Sequence, residues 1–397
     1  MPKVIYLDNN ATTAVAPEVR EAMMPFLTDL YGNPSSIHTF GGQVAAHVED
    51  AREALADLLG AHPSEIIFAS CGTESDNTAI LSALASYPER RHLITTRVEH
   101  PAVLNLCQSL AQGGAGKTGY RLTLLPVDAQ GMLDLGGLES ALDDDTALVS
   151  VMWANNETGV LFPVEEIGEL CRRRGVLFHT DAVQVVGKIP INLAEMPIDM
   201  LSLSGHKWHA PKGVGALWVR RGTRFSPLLR GGHQEHNRRG GTESVPLVVG
   251  LGKAASFVKR HLAEEQTRVR ALRDRLEKGL LATCPDARLN GHPARRVPNT
   301  SNISFEYVEG ESILLMLDQH GICASSGSAC TTGSLEPSHV LRAMGVPYTA
   351  AHGSIRFSLS VYTTEEEVDA VLEVLPPIIR RLREISPFGR RPAAART

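Results

Sequence analysis

Short apolar runs alternate with longer amphipathic stretches between residues 66 and about 220. Helical periodicity marks several of the intervening stretches, as in residues 75–85, 102–111 and 164–174. Strands that alternate with helices predict βα units and a mostly parallel sheet covered on both faces, so we expect one large α/β domain with seven strands. The seven predicted strands begin at Ile66, Leu93, Leu122, Ala147, Val176, Asp199 and Val214.

The pattern changes after about residue 255. A long charged helical stretch (254–281) leads into a crossing rich in Pro, Gly and Asn (284–300), and a second α+β block follows. We expect residues 15–258 to form the large domain, residues 1–14 and 259–387 a smaller one, and residues 388–397 a disordered basic tail. In the second block the predicted strands are 301–306, 322–324 and 354–360, and the predicted helices are 311–319, 337–344 and 365–384.

The amino-acid composition argues against several classes of protein. The 397 residues are 43% apolar and 21% charged, and 39 basic against 44 acidic residues leave a net charge of −5. This balance argues against binding to nucleic acid or to an anionic membrane. No apolar run of about 18 residues and no signal-peptide pattern is found, so we expect a cytoplasmic protein without a membrane span. Six scattered cysteines without Cys-x-x-Cys spacing argue against a disulfide framework and against a metal site made by one chain.

Polar residues follow several of the predicted strands, where ligands of open α/β sheets bind. Segment 71–77 (CGTESDN) opens a helix, and it fits either a phosphate cradle or an ordinary cap by Thr73 or Ser75. His100 follows the next strand, and segment 155–159 (NNETG) follows a later one. Each of these two also fits an ordinary loop or turn.

The two strand ends that come next carry an aspartate and a lysine. Asp181 either caps a helix or faces a cation, because a buried carboxylate is costly without one. Lys207 is either a surface charge or the amine that forms a Schiff base with an aldehyde cofactor, whose ring nitrogen an aspartate keeps protonated. A phosphate cradle, an aspartate, a lysine and a histidine at successive strand ends together predict a pyridoxal 5'-phosphate site.

Two further residues suggest substrate chemistry. Segment 325–334 (SSGSACTTGS) consists of small, hydroxylated or Gly residues, and its Cys330 is either a tolerated surface cysteine or a mobile nucleophile. Cys323, on the preceding strand, is expected in the core. Arg356 lies on a half-buried strand and needs an anion, which is either a ligand carboxylate or the partner in an internal ion pair.

Taken together, these segments resemble cysteine desulfurases of the class-V aminotransferase-like fold, which is fold type I of the pyridoxal-phosphate enzymes and includes the nitrogen-fixation enzyme NifS. The similarity runs over residues 4–387, and segments 71–75 and 152–159 are more similar to the nitrogen-fixation branch than to the housekeeping branch. The matching segments are 6–13, 32–36, 72–76, 99–101, 155–159, 179–184, 204–207, 231–235, 240–243 and 325–330.

This resemblance implies that sulfur is removed from L-cysteine, giving L-alanine and a persulfide on Cys330. Lys207 would hold the cofactor, and Asp181 would pair with its ring nitrogen. Gln184 would bond the ring hydroxyl, while His100 would stack on the ring and help to deprotonate Cys330. An iron–sulfur scaffold protein would accept the sulfur, with nitrogenase as the expected destination.

The resemblance also implies the rest of the site. Asn33, Asn156 and Arg356 would orient the substrate, Arg356 through the substrate carboxylate. No metal site is implied on the chain's own residues, apart from Cys330 as a transient ligand of an iron–sulfur cluster. The remaining implied cofactor-binding residues are Gly72, Thr73, Asn156, Ser204, Gly205 and His206, with Thr242 contributed by the other subunit of a homodimer.

Other interpretations stay open from the residues alone. A selenocysteine lyase or an aminotransferase shares the fold, but an aminotransferase needs no cysteine such as Cys330. A non-enzymatic sulfur carrier would use only Cys330 and has no use for Lys207. A zinc protein built on His206 and His209 lacks a third ligand at metal spacing.

Overall fold

The computed structural model describes residues 4–113, 119–326 and 337–386, so Cys330 and the predicted tail lie outside the described residues. Within these ranges, seven strands form one sheet in the order β2-β8-β7-β6-β5-β3-β4. Only β8 runs antiparallel to its neighbours, β2 and β7. The predicted seven-stranded, mostly parallel α/β fold is therefore confirmed. The strands of this sheet are β2 (Ile66–Ala69), β3 (His92–Thr96), β4 (Arg121–Leu125), β5 (Thr146–Ser150), β6 (Leu177–Asp181), β7 (Met200–Ser204) and β8 (Gly215–Val219).

The strands of this sheet could be recognised in the sequence because helices cover both faces of the sheet, so that each strand is a near-continuous apolar run. Ala147, Leu148 and Val149 of β5 are all fully buried, as expected of a strand with helices on both sides. The predicted β5 run extends beyond Ser150, where the strand ends, because Val151 and Met152 stay buried and Val151 N still donates to His179 O of β6 (3.1 Å). An apolar run thus marks burial more reliably than it marks the end of a strand.

Several elements differ from the sequence-based prediction. The amphipathic helix α3, which packs on α8, was not predicted. The long charged helix begins at Val245 rather than 254, and a π-helical turn (Glu265–Val269) separates α8 from α9. The crossing after α9 contains a short strand, β9. The helices are α1 (Pro17–Met23), α2 (Pro25–Thr28), α3 (Thr39–Leu59), α4 (Gly72–Ser86), α5 (Pro101–Gln112), α6 (Leu135–Ala141), α7 (Val164–Arg174), α8 (Val245–Glu264), α9 (Arg270–Thr283), α10 (Gly310–Gln319), α11 (His339–Ala343), α12 (Tyr348–Ala351) and α13 (Glu365–Ile385).

A second core lies around a smaller antiparallel sheet. Within the described residues, β9 (Ala287–Asn290), β10 (Thr300–Phe305) and β12 (Ser354–Ser358) form this sheet in the order β12-β10-β9. The N-terminal strand β1 (Ile5–Tyr6) pairs in parallel with β11 (Ile322–Cys323). Helices α9, α10 and α13 pack their apolar faces on this core. No helix in the described ranges is both long enough and apolar enough to cross a membrane.

Glu99 fastens the turn after β3 to the end of β5. One of its carboxylate oxygens accepts a hydrogen bond from Thr96 Oγ1 (2.7 Å), and both accept from Met152 N (3.1 Å). The side chain is fully buried. Burial raises the pKa of Glu99 to about 8, although the hydrogen bonds from Thr96 and Met152 act in the opposite direction.

The buried Glu99 carboxyl makes the stability of the fold depend on pH. Its pKa is about 8 in the folded protein against 4.5 ordinarily, so above pH 4.5 the unfolded chain releases this proton while the folded chain keeps it. Stability is therefore lost as pH rises towards 8. We expect Glu99→Gln to gain stability relative to the parent by about 1 kcal/mol per pH unit between about pH 5 and pH 7.5.

Urea unfolding of the parent and of Glu99→Gln, each at about pH 5 and about pH 7.5, measures how the difference in their free energies of unfolding changes with pH. The exposed Glu89→Gln is the matched control and should leave the pH dependence unchanged. A stability difference between Glu99→Gln and the parent that does not vary with pH would show that Glu99 is ionised in the folded protein.

Candidate active site

A cavity of about 400 Å³ opens at the carboxyl edge of the large sheet. It lies where ligands of open α/β sheets bind, and it is bounded on one side by β12 of the small sheet. Residues from the N-terminal segment also contribute to its wall. Of the residues predicted from the sequence, the structure brings together here Gly72, Thr73, His100, Asn156, Asp181, Gln184, Ser204, His206, Lys207 and Arg356.

Lys207 ends a single 3₁₀ turn (Gly205–Lys207) that follows β7 directly. Its Nζ donates hydrogen bonds to Asn10 O (2.7 Å) and Ala11 O (2.8 Å). Gly205 does not line the cavity. A Cβ at this position would lie 2.7 Å from Leu251 Cδ1, so Gly205 lets the turn pack closely on α8 and in this way positions Lys207.

Asp181 is the last residue of β6, the strand next to β7. Its Oδ1 accepts a hydrogen bond from Val183 N (2.9 Å). Burial raises the pKa of Asp181, while the charges of His100 and Lys207 lower it. A carboxylate in this position needs a cationic partner, and the protonated ring nitrogen of pyridoxal phosphate is such a partner.

A second carboxyl lies beside Asp181 in the same cavity wall. Asp76 is almost completely buried, and its Oδ1 has no hydrogen-bond partner among the described residues. Burial and the neighbouring Asp181 carboxylate both raise the pKa of Asp76 well above its ordinary value. Two buried carboxyls that face one cavity favour a cationic group in a bound ligand.

The N-terminus of α4 also lines the cavity. Among the described residues no side chain caps this helix, so the alternative of an ordinary cap by Thr73 or Ser75 is wrong; Ser75 Oγ instead donates to Cys71 O (3.2 Å). A Cβ at Gly72 would lie 2.8 Å from Val183 Cγ2, so a larger residue would fill the cradle. Backbone N–H groups at an uncapped helix N-terminus fit a phosphate group, so this end of the cavity suits the cofactor.

His100 is the N-cap of α5 and lines the cavity as well. Its Nδ1 accepts a hydrogen bond from Ala102 N (3.1 Å), so in the neutral ring the proton lies on Nε2. Burial and the nearby charges of Lys207 and His339 lower the pKa of His100, while Asp181 raises it. A neutral ring in this tautomer donates a hydrogen bond from Nε2, and the expected part of His100 in deprotonating Cys330 stays a prediction.

Arg356 reaches the cavity from β12. Nη2 donates to Asp8 Oδ1 (2.8 Å) and Nη1 donates to Asn156 O (2.9 Å), so the internal ion pair considered above is present. Nε is buried and has no partner among the described residues. The backbone of Arg356 also pairs with Ser325, through Ser325 N to Arg356 O (3.2 Å) and Arg356 N to Ser325 O (2.6 Å). Ser325, the first residue of the segment that carries Cys330, therefore lies beside Arg356.

Two predicted site residues lie away from the cavity. Asn33 is exposed, and its Oδ1 accepts from Ser35 N (2.9 Å). Thr242 is exposed as well, on the loop between β8 and α8. Within a single chain neither residue lines the cavity, and both roles stay predictions: Asn33 in orienting the substrate, and Thr242 of a second subunit in holding the phosphate.

The histidine pair considered for zinc is divided between two environments. His206 lines the cavity with Nδ1 3.2 Å from Thr12 Oγ1, whereas His209 Nδ1 lies 3.0 Å from Ala14 O and its ring packs on Phe257. Burial, together with the charges of Lys207 and Lys212, lowers the pKa of His206 to about 4. In the described parts of the chain, no group of three His, Cys, Asp or Glu side chains could hold a metal ion.

Sequence reasoning missed the contribution of the N-terminal segment. Asn10 is 1% exposed and connects Lys207, Thr300 and Asn156 through its backbone and side-chain atoms. Asp8 holds Arg356, as described above. The signal was the polar run DNN at positions 8–10 directly after a short apolar strand, which resembles the polar strand ends of the large sheet.

The geometry can be compared with known proteins. A family model described as aminotransferase class-V matches residues 5–371. Cysteine desulfurase 2 of Trichormus variabilis is 63% identical over 386 residues, covering 97% of this chain and 96% of the relative. Cysteine desulfurase NifS of Azotobacter vinelandii is 61% identical over 385 residues, covering 97% and 94%.

The fold comparison agrees. A solved structure described as a NifS-like protein has a TM-score of 0.89 to this chain at 39% identity, covering 96% of this chain and 100% of that one. This match confirms the predicted fold type I. The chain therefore belongs to the class-V aminotransferase family and, within it, to the cysteine desulfurases.

Proposed function

We propose that this protein is a pyridoxal-phosphate-dependent cysteine desulfurase that converts L-cysteine to L-alanine and leaves a persulfide on Cys330. The observation that carries the proposal is the cavity in which Asp181 and Lys207, at the ends of adjacent strands, meet the uncapped N-terminus of α4 and Arg356. The names of relatives more than 60% identical support it.

The residues of this cavity suit each part of the cofactor. Lys207 holds its aldehyde carbon, Asp181 keeps its ring nitrogen protonated, and Gln184 donates to its ring oxygen. The N–H groups of Gly72 and Thr73, with Ser204 and His206, hold the phosphate, and Thr242 of a partner subunit completes this end in the proposed homodimer. When bound, pyridoxal phosphate withdraws electrons from the substrate Cα and so makes the substrate sulfur electrophilic.

Arg356 binds the substrate carboxylate in this proposal. Its guanidinium is held in the cavity wall by Asp8 and by Asn156 O, and each of these two bonds takes one hydrogen of its Nη group and leaves the other for a ligand oxygen. Asn33 and the Asn156 side chain also orient the substrate. With the carboxylate fixed, the substrate Cα would lie near the Lys207 amine. Once the substrate amine has taken the place of Lys207 on the cofactor, the freed Lys207 amine would take up the Cα proton and return it when alanine forms.

Cys330 then attacks the substrate sulfur as a thiolate. An S–S bond forms between the two sulfur atoms while the bond from sulfur to the substrate Cβ breaks, and protonation of that carbon gives alanine. A free thiol is mostly protonated at pH 7, with a pKa of about 8.5, so the thiolate must be stabilised. His100 is suited to do this by donating a hydrogen bond from Nε2, which lowers the thiol pKa without taking the proton.

The wider role follows from the family. We propose that an iron–sulfur scaffold protein accepts the sulfur, that nitrogenase is the destination, and that Cys330 can ligate a cluster transiently. The names of the nitrogen-fixation relatives support this destination. A cytoplasmic location is proposed from the cysteine usage and the charge balance of the sequence.

Replacing the nucleophile tests the reaction. Cys330→Ala should keep the visible absorption of bound pyridoxal phosphate but lose release of sulfide from L-cysteine by at least about 100-fold, because no thiolate attacks the sulfur. Alanine and sulfide are assayed in the same tube with an added thiol. Cys323→Ala on β11 is the matched control and should keep both. Full activity of Cys330→Ala would favour a selenocysteine lyase, which needs no enzyme nucleophile.

Replacing the lysine tests the attachment of the cofactor. After incubation with pyridoxal phosphate and reduction with borohydride, the parent should gain the mass of one cofactor per chain, whereas Lys207→Ala should gain none. The desulfurase activity of Lys207→Ala should fall by at least about 100-fold. Lys212→Ala, an exposed lysine five positions on, should behave as the parent does. A gain of the mass of one cofactor per chain by Lys207→Ala would contradict the assignment.

Replacing the arginine tests substrate binding. Arg356→Lys keeps the charge but loses the planar fork, so KM for L-cysteine should rise by about 10- to 100-fold, while kcat changes less. Arg288→Lys on β9 of the same sheet is the control. Steady-state kinetics measure both variants, and an unchanged KM would show that the carboxylate binds elsewhere.

A further inference from the structure

A buried lysine lies behind the candidate site and has no role in the reaction proposed above. Lys188 follows β6 in the chain and is 5% exposed. Its Nζ donates hydrogen bonds to Gln184 Oε1 (2.7 Å) and Asn10 Oδ1 (3.2 Å). Burying an ammonium group is costly, so a lysine kept in this position calls for an explanation.

Both acceptors of Lys188 connect directly to the site. Gln184 Nε2 donates to Asn10 O (3.0 Å), the same carbonyl oxygen that accepts from Lys207 Nζ (2.7 Å). An ammonium group only donates, so Lys188 fixes the Gln184 amide with its oxygen directed towards Lys188. The amide nitrogen is then the end left for a ligand, and one of its two hydrogens remains after the bond to Asn10.

The charged groups around Lys188 come from several different elements of the fold. Glu265 faces it from the π-helical turn, Lys207 from the turn after β7 and Arg356 from β12, and the His209 ring lies on the same side. Burial lowers the pKa of Lys188 to about 7, with Glu265 opposing this effect and Lys207 and Arg356 adding to it. Glu265 is therefore the group that favours the charged form of Lys188.

Glu265 is an acidic group buried near Lys188. It is 6% exposed, and its Oε2 has no hydrogen-bond partner among the described residues. Burial raises the pKa of Glu265 to about 8, while the charge of Lys188 lowers it. Both side chains line a separate cavity of about 20 Å³, which has the size of one water molecule.

We propose that Lys188 is a positioning residue that directs the Gln184 amide nitrogen at the ring oxygen of pyridoxal phosphate held by Lys207 and so stabilises the anionic form of that oxygen. This inference rests on the proposed function. In this proposal Lys188 fixes the Gln184 amide and adds positive charge behind the cofactor ring. The charge of Glu265 favours the ammonium form of Lys188.

The visible absorption band of the bound cofactor would report on the stability of the anionic ring oxygen. The band changes with pH because the nitrogen that joins Lys207 to the cofactor lies next to this oxygen and gains a proton as the pH falls. Lys188→Met removes the charge and releases the amide, so the anionic oxygen is less stable. The pH midpoint of the band should rise by about one pH unit. Lys259→Met, which removes an exposed lysine paired with Asp57, is the control and should leave the midpoint in place.

Two further variants separate this role from a general loss of structure. Lys188→Met combined with Glu265→Gln leaves no unpaired charge buried, and it should show the same upward shift even if the single variant folds poorly. Lys188→Arg keeps the charge and should keep the midpoint near that of the parent. Spectral titration of each protein with pyridoxal phosphate bound gives the result without an activity assay.

Combination with Gln184→Ala tests whether Lys188 acts through the amide. In that background Lys188→Met should cause less than half of the shift it causes alone. A shift of equal size there would overturn the role of the amide, and unchanged midpoints in both the single and the double charge variants would overturn the inference altogether. A parent protein without any visible band would instead overturn the proposed function, and this inference would fall with it.

Discussion

The site depends on hydrogen bonds that tie the N-terminal segment to both sheets. Lys207 Nζ, which follows the large sheet, donates to Asn10 O at 2.7 Å, and Asn9 Nδ2 donates to Ser358 O of the small sheet at 2.8 Å. These partners are 197 and 349 positions apart along the chain. Because contacts of such sequence separation form only when both sheets are in place, the lysine obtains its acceptors only in the completed fold.

The cavity that results is costly in free energy without a ligand. Asp181 and Asp76 are buried on one side, and Arg356 reaches it from β12 on another. Ionisable groups in such surroundings lose more hydration than they regain from one another. A ligand with a cationic ring nitrogen and a carboxylate would complement the two aspartates and Arg356, and its phosphate group would complement the N-terminus of α4. Its binding therefore stabilises the folded protein by mass action.

Much of this arrangement could be predicted from the sequence, because a sheet covered on both faces leaves near-continuous apolar runs. Asp181 and Lys207 stood out as polar residues directly after such runs. Asn10 could not be recognised in the same way, since its partners come from distant segments. Asn33 and Thr242 lie away from the cavity of a single chain, and their roles, like the division into domains at residue 258, stay predictions.

The π-helical turn between α8 and α9 has a consequence for how this helix can change in evolution. Glu265 begins the turn, and the two α-helices continue on either side of it. A π turn carries one residue more than a regular helical turn. Because a π turn and a regular turn each complete one revolution, deleting one residue within it would restore regular helical geometry and leave the two halves in nearly the same relative orientation. The α9 face that packs on the small core could then keep its partners, whereas residues 265–269 would change the directions of their side chains, so the loss of one residue here alters the surroundings of Lys188 rather than the packing of the helix.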